Sequence, residues 1–508
     1  MKGGMAMKTM KKLVSLLLAG AMILSLAACG GNEGASSQSG GSDSTPTSGS
    51  TSESSGEPVT VSWWLSAPYE MPLAPQVQEK MNEIAEEKYG IRYELTFLSM
   101  GNFATQLNLA LASDEVDVFP CGSLFDYKNN GQIADLTEYY EAAPDEFKEL
   151  WLCDDTYMNS MKIDGKIYGL PHIVDFGHYV SLNLDQEVAD KYGITQEQEL
   201  SMAEVDELLA KIHEDFSDRY TLGAGGTTSV FSNGFYTWDN MLDKVGVLPD
   251  KGQTTTVESI FDNEDFIYLA KLAEKWYDAG YIMPDILSNT QAWASMLANN
   301  QIAAVFDCYG VNFVDGAVRT RIKEVGHWTE GMSISTTAWS VSANSSHPEE
   351  AFQSLTLLFT DAELSTYLNN GIEGENYVKN DNGTISYIDG KDAAGSGYGA
   401  PSLFWCYPGA EISQPLDVNG PTFFEDLIQF NTEGEFSKIN GFFFDPSAVI
   451  DEYTACKAVI DKYFGPLQSG AVDVDTTLEQ ARSEMDAAGE DKVIAEKQRQ
   501  IDEFLAQQ

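Results

Sequence analysis

The sequence predicts an α/β protein built on a doubly wound, mostly parallel sheet. Three observations carry this. From Val59 onward, strand-length apolar segments alternate with helix-periodic ones in the order β-α-β-α-β. The first segment, Val59-Thr-Val-Ser-Trp-Trp-Leu65, reads as a strand covered on both faces, as parallel strands are. The 508 residues are 43% hydrophobic and 11% aromatic, enough to bury a large core. At about 150 residues per domain, the length suggests about three units or one large two-lobed protein.

The N-terminus precedes that pattern. Lys8, Lys11 and Lys12 introduce a 14-residue apolar stretch, Leu13 to Leu26, shorter than the ~20 residues a membrane helix needs. Leu26-Ala27-Ala28-Cys29 resembles the lipobox of bacterial lipoproteins, which implies cleavage before Cys29 and diacylglycerol on its thiol. The alternatives are an uncleaved anchor or a signal cut elsewhere. Residues 30–58 then hold 10 Ser, 7 Gly and 3 Thr among 29 residues, a composition that cannot fold. As a flexible coil this tether spans roughly 30 Å. An acylated Cys, a Ser/Gly tether and a large acidic domain point to the outer face of a Gram-positive cell.

The elements follow in order. Pro75–Tyr89 is a helix with Val77, Met81 and Ile84 on one face and Gly90 as its stop. Arg92–Leu98 is the second strand, Asn102–Ala112 the second helix and Val116–Phe119 the third strand. Ser201-Met-Ala-Glu204 is a capping box opening a helix that buries Val205, Leu208, Leu209 and Ile212. Asn263–Ala279 is a further helix closed by Gly280, and Ile302–Phe306 a buried strand ending at Asp307. Met332–Ala343 reads as strand. At His347-Pro-Glu-Glu350 a helix opens, with Pro at its first position and acids near its positive end. Asp381-Asn-Gly383 is a hairpin turn between Tyr377-Val378 and Ile385–Tyr387. Helices at Thr476–Ala488 and Glu490–Ala506, parted by Gly489, close the chain.

The 78 acidic residues against 30 basic ones make a formal charge of −48. Cleavage before Cys29 removes four lysines and no acid, leaving −52. Such a surface excludes nucleic acid and anionic membranes as charge-driven partners. Beyond Cys29, five cysteines lack C-x-x-C spacing, so zinc-finger and redox motifs are absent. The five histidines form no H-E-x-x-H; Gly223-Ala-Gly-Gly226 is no phosphate loop, and Asp381-Asn-Gly has no Glu at the twelfth position of an EF-hand. No G-x-S-x-G occurs. With so many carboxylates, spacing alone cannot identify a glycosidase dyad. No cofactor, metal or catalytic set is called for.

Several segments together resemble the extracellular solute-binding lipoproteins of carbohydrate ABC importers, in particular a large subgroup with its own C-terminal module. They are Leu111–Val118, Asn130–Leu136, Asp164-Gly-Lys-Ile-Tyr-Gly-Leu-Pro171, Ser345–Ala351, Gly371–Tyr377, Phe444-Asp445 with Glu452, Cys456 and Tyr463, Gly470–Asp473, and Gln498–Asp502. The resemblance implies a periplasmic-binding-protein-like type II fold: two doubly wound α/β lobes joined by crossover strands, plus C-terminal helices. Residues 59–175 with 333–375 are then the first lobe, and 176–332 with about 376–508 the second lobe and C-terminal module. Hinges fall in Pro171–Ser181 and Met332–Val341. It implies a monomeric receptor on the outer face of the membrane, anchored through Cys29, that delivers a sugar to ABC permease subunits. The alternatives are an anchored glycoside hydrolase and a surface adhesin.

Sugars present apolar C–H faces and hydroxyl rims, so stacking aromatics and polar acceptors near strand ends are the candidate ligand-binding residues. They are Trp63, Trp64 and Tyr69 around the first strand's end, Ser123 and Phe125 after the third strand, and Asp175 in the first crossover. Trp238, Trp293, Asp307 and Tyr309 follow in the second lobe. Thr337 and Trp339 lie on the return segment, and Trp405 and Tyr407 in a Gly/Pro-flanked loop. If the first strand alternates, only one of Trp63 and Trp64 faces outward.

Overall fold

Two five-stranded sheets organise the chain. The computed structural model describes residues 57–508 except 225–228, 232–236, 290, 292 and 312–315. The expected signal peptide, the lipidated Cys29, nearly all of the tether and part of the Gly223–Gly226 loop lie outside the described residues. Among the described residues no helix is long and apolar enough to cross a membrane.

The first sheet contains β1 (Val59–Ala67), β2 (Ile91–Ser99), β3 (Val118–Cys121), β4 (Leu170–Pro171) and a late strand, Ala338–Val341, in the order β2-β1-β3-late-β4. The second contains β5 (Tyr179–Asp185), β6 (Gln198–Leu200), β7 (Tyr220–Leu222), β8 (Ile302–Tyr309) and β9 (Ala317–Ile322), in the order β6-β9-β5-β8-β7. The late strand is β10. It runs antiparallel to β3 and β4, and β5 runs antiparallel to β8 and β9. Each sheet therefore has one reversed strand, and each reversed strand is entered from a crossover.

The helices cover these sheets. Helix α1 (Ala74–Tyr89) buries Val77, Met81 and Ala85, and ends at Gly90, whose φ of 67° favours a residue without Cβ. Helix α2 (Met100–Ala110) follows β2. Helix α3 (Met202–Asp215) carries the reciprocal Ser201–Glu204 capping box, and α4 (Glu264–Asp278) is capped by the Asn263 side chain. Helix α5 (Pro348–Thr360) starts with Pro, Glu and Glu; α6 (Ala362–Asn370) is capped by Asp361, whose carboxylate accepts from the amides of Glu363 and Leu364. The hairpin 377–379/385–387 forms. Later come α7 (Phe423–Glu433), α8 (Ile450–Ser469), α9 (Val474–Ala488) and α10 (Glu490–Leu505).

The cores correct the expected lobe boundary. One apolar cluster gathers residues 61–176 and 334–407, another residues 180–328 and 439–501. A small third cluster joins Ile173 and Ala410 to α7. Tyr398, Leu403 and Tyr407 thus pack in the first lobe's core, not the second's. Only the C-terminal helices and the segment before them share the second core. Residues 398–407 are held in the first core by partners far off in the sequence: the Tyr407 hydroxyl donates to Ser66 O, and Phe97 packs edge-on against Tyr398 and Tyr407.

Three segments join the lobes: 172–178, 323–337 and 434–444. The His178 amide donates to Trp328 O (3.0 Å), and Trp328-Thr329 pairs in parallel with Glu435-Phe436. A Cβ on Gly177 would sit 2.7 Å from Thr329 Oγ1 and 2.9 Å from Trp328 O, so only glycine lets these strands approach. The His327 ring lies between Phe430 (3.9 Å) and Tyr179 (4.8 Å); burial lowers its pKa to about 4, so it stays neutral. The return crossover, 323–337, begins before the expected Met332–Val341 and overlaps it. Within that stretch Ile334–Thr337 is a 3-10 turn, and Ala338–Val341 belongs to the first sheet.

Candidate ligand-binding site

Topology brings the two carboxyl edges together. β4 leaves the first sheet at its carboxyl end and leads into β5, whose reversed direction makes its start part of the second sheet's carboxyl edge. β9 leaves that same edge and leads into reversed β10, which begins at the first sheet's carboxyl edge. Both carboxyl edges therefore adjoin the crossovers and face each other. In open α/β sheets this is where ligands bind.

On the first edge, Ala338 pairs with both Cys121 and Pro171, gathering the ends of β3 and β4 with the start of β10. The loop of residues 398–407 is tied there. The Tyr407 hydroxyl donates to Ser66 O (3.0 Å). The Tyr69 hydroxyl lies 3.0 Å from Ser402 Oγ, and its ring packs where a Gly399 Cβ would stand. His172, just past β4, contacts Thr337 O and Trp405 O through its two ring nitrogens. With its backbone held in this way, Trp405 keeps its side chain outside the core: at 46% exposure it is the most exposed tryptophan among the described residues.

On the second edge, β8 ends at Asp307-Cys308-Tyr309. The Cys308 amide donates to Asp307 Oδ1 (2.8 Å), and Ser181 Oγ donates to Asp307 O (2.8 Å). The Gly310 amide donates to Asp175 Oδ2 (3.1 Å), while Asp175 Oδ1 is enclosed and lacks a hydrogen bond among the described residues. Burial raises the Asp175 pKa to about 6, against the pull of the Gly310 amide and the Arg319 charge. Trp293 begins a short helix, 293–298, half-buried against the second core.

The structure thus brings Tyr69, Thr337 and Trp405 to the first edge, and Asp175 and Asp307 to the second. The backbone of Tyr309 ends β8, and its side chain lies outside the description. Ser123 is at the first edge, but its hydroxyl donates to Asp126 (2.6 Å). Thr337 Oγ1 donates within its own turn, to Ile334 O (2.8 Å). Phe125 stacks on Phe443 at 6.1 Å and 14°, bridging the first lobe to the third crossover.

Four expected ligand residues are corrected. Trp63, Trp238, Trp339 and Tyr407 are fully buried. Trp63 donates its indole N–H to Ser354 Oγ (3.0 Å) and packs at a tilt 5.2 Å from Trp339; Trp238 donates to Asn240 Oδ1 (3.1 Å). The strand also runs to Ala67, so Trp63 and Trp64 lie within it rather than at its end. Half-buried Trp64 pairs opposite Thr96, short of the edge. Large aromatics near strand ends fill cores because burial of their area outweighs exposure. His172 and the hinge carboxylate Glu330 escape a reading by residue type, since nothing near them in sequence marks them.

Two wound lobes, facing carboxyl edges and three hinge segments define a two-lobed solute-capturing protein. Residues 72–363, more than half of the chain, match the family described as "Bacterial extracellular solute-binding protein". The chain belongs to that family: it is an extracellular binding protein and not an enzyme. Residues 438–506 match a "Domain of unknown function (DUF3502)". The chain is 24% identical, over 438 residues, to a "Carbohydrate ABC transporter substrate-binding protein" of Streptococcus pneumoniae serotype 4 (strain ATCC BAA-334 / TIGR4), covering 84% of this chain and 87% of that one. Among solved structures, the N-glycan transport solute binding protein (NgtS) from Streptococcus pneumoniae superposes with a TM-score of 0.77 at 21% identity, over 88% of this chain and 99% of that one. Its complex with Man5GlcNAc gives 0.69 at 21% identity, over 89% and 99%. An extracellular solute-binding protein from Bifidobacterium longum subsp. infantis gives 0.59 at 16%, over 89% and 100%. At these identities the likeness establishes the fold.

Proposed function

We propose that the chain is a monomeric, lipid-anchored receptor on the outer face of a Gram-positive cell membrane. It captures a neutral oligosaccharide between its lobes and delivers it to ABC permease subunits. Acylation of Cys29, with diacylglycerol and palmitate as the lipid, is the anchor, and the Ser/Gly tether sets the reach. The observation that carries the sugar reading is the exposed Trp405 ring at the first carboxyl edge, with Asp175 and Asp307 at the second. An aromatic platform and polar acceptors suit a sugar's C–H face and hydroxyls. The relatives support this: one is named for carbohydrate transport, another was solved with Man5GlcNAc.

Neutrality is supported by the arginines. Arg92 pairs with Glu86, Arg219 with Asp185, Glu187 and Asp218, and both Arg319 and Arg321 with Glu197. Each already faces a carboxylate, within a field of −52 for the cleaved chain. Capture closes the lobes about the three crossovers while each core stays packed. The test is thermal melting of the mature chain with mannan, glucan and xylan oligomers, Man5GlcNAc and a uronate oligomer. Melting should rise with a neutral oligomer by the stabilisation RT ln(1 + [L]/Kd), without product release. Turnover of any oligomer overturns the receptor reading; a response to the uronate alone overturns neutrality.

A further inference from the structure

His172 is 5% exposed and joins segments distant in sequence. Its Nδ1 lies 2.7 Å from the main-chain oxygen of Thr337, and its Nε2 2.9 Å from that of Trp405. Carbonyl oxygens only accept, so each contact requires a ring N–H. A neutral imidazole carries one and the imidazolium two. Only the charged ring makes both bonds. Thr337 ends the return crossover, immediately before β10, and Trp405 lies in the 398–407 loop. The ring stands nearly perpendicular to Trp339 (6.5 Å, 82°).

We propose that His172 is a positioning residue for capture: it clamps the Trp405 loop to the return crossover, and so fixes the exposed Trp405 ring where ligand meets it. This rests on the reading of Trp405 as the sugar platform. The clamp also couples capture to protonation. Burial holds the His172 pKa below its ordinary 6.5, and the two carbonyl bonds oppose that fall. Three residues further along its own segment is Asp175, held up near 6. The Trp405 loop contributes Cys406 and Tyr407, both raised by burial and neutral across this range. Thr337–Val341 carries no ionisable side chain. As pH falls through the histidine's pKa, the second N–H appears and the clamp completes. Above it, one carbonyl faces a lone pair and the loop is held by one bond.

Two readouts test this on the mature chain. With 5-fluorotryptophan, the fluorine resonance missing from Trp405→Phe is assigned to Trp405. It should shift and sharpen as pH is lowered from about 8 to 5, with the midpoint of a histidine. In His172→Leu it should no longer respond to pH. His172→Gln, which keeps a donor group but does not titrate in this range, should likewise be insensitive to pH and serves if the leucine variant fails to fold. The second readout is titration calorimetry with Man5GlcNAc, or with whichever neutral oligomer raises melting most. Trp405→Ala should weaken binding at least about tenfold, like other aromatic anchors. His172→Leu should weaken it severalfold in the wild-type background and not at all in Trp405→Ala, because it acts through that ring. A pH-independent Trp405 resonance, or the same loss from His172→Leu in both backgrounds, overturns the clamp. Normal binding by Trp405→Ala instead overturns the platform reading beneath it.

Discussion

Replacing Lys497 with Met should be among the most damaging single changes in the C-terminal module. Lys497 lies on α10 with a fully buried side chain. Its Nζ donates to both carboxylate oxygens of Asp243 (2.8 and 3.0 Å) and to Val245 O (2.7 Å). Methionine matches the stem's volume, so packing changes little. The loss is electrostatic: Asp243 keeps its charge without a cation, and the Val245 carbonyl loses its donor. Breaking a buried pair from one side typically costs about 3–5 kcal/mol. Here Asp243 is 10% exposed and still accepts from the Val245 amide (2.8 Å) and the Tyr453 hydroxyl (3.2 Å), which places the expected loss near the lower end, about 3 kcal/mol. Urea unfolding followed by tryptophan fluorescence measures it as a lower midpoint. Adding Asp243→Asn should restore most of the loss, since the stranded charge disappears. A loss below about 1 kcal/mol, the range of exposed pairs, would refute the view that this pair ties the module to the second lobe.

Glu330, in the return hinge, has a pKa raised to about 8, first by burial and then by Asp239. A carboxyl raised in the folded state is stabilising below its unfolded pKa and loses that contribution as pH rises to the folded value. Melting should therefore fall between about pH 4.5 and 8, and Glu330→Gln should flatten that slope in a pH series of melting curves. Trp405→Ala should lose on the order of 1–3 kcal/mol of oligosaccharide binding with melting unchanged. Trp238→Ala should instead lose about 3–5 kcal/mol of stability, because it empties a core site; circular dichroism and calorimetry on both variants separate the two. Gly310→Ala places a Cβ 2.0 Å from Asp175 Cγ, so the Asp175–Gly310 contact must open. A normal melting temperature in that variant would show that the contact does not hold the second edge.

Local patterns were legible where one element contains its own cause. The capping box at Ser201–Glu204, the glycine stop at Gly90 and the Pro-Glu-Glu opening of α5 all act within one turn, and each forms as expected. The hairpin at 377–387 forms for the same reason. The pattern is silent where the partner is remote. Nothing within Tyr179–Asp185 says that it inserts between β8 and β9. Nothing at Glu435-Phe436 announces a third hinge strand beside Trp328. Which aromatic meets solvent was equally hidden: Trp63 and Trp405 are the same residue type, yet one is sealed by Trp339 and Ser354 and the other is exposed.

By itself the sequence determined the wound α/β class, the order of the first elements and the membership that its spaced segments imply. These depend on periodicity, turn chemistry and composition, which act over a few residues. Tertiary structure decided the lobe of residues 376–407, the three-strand hinge and the set of side chains at the carboxyl edges. Those follow from pairings across hundreds of residues, such as His172 with Trp405, where the deciding energy is the burial and hydrogen bonding of two segments that only the folded chain brings together.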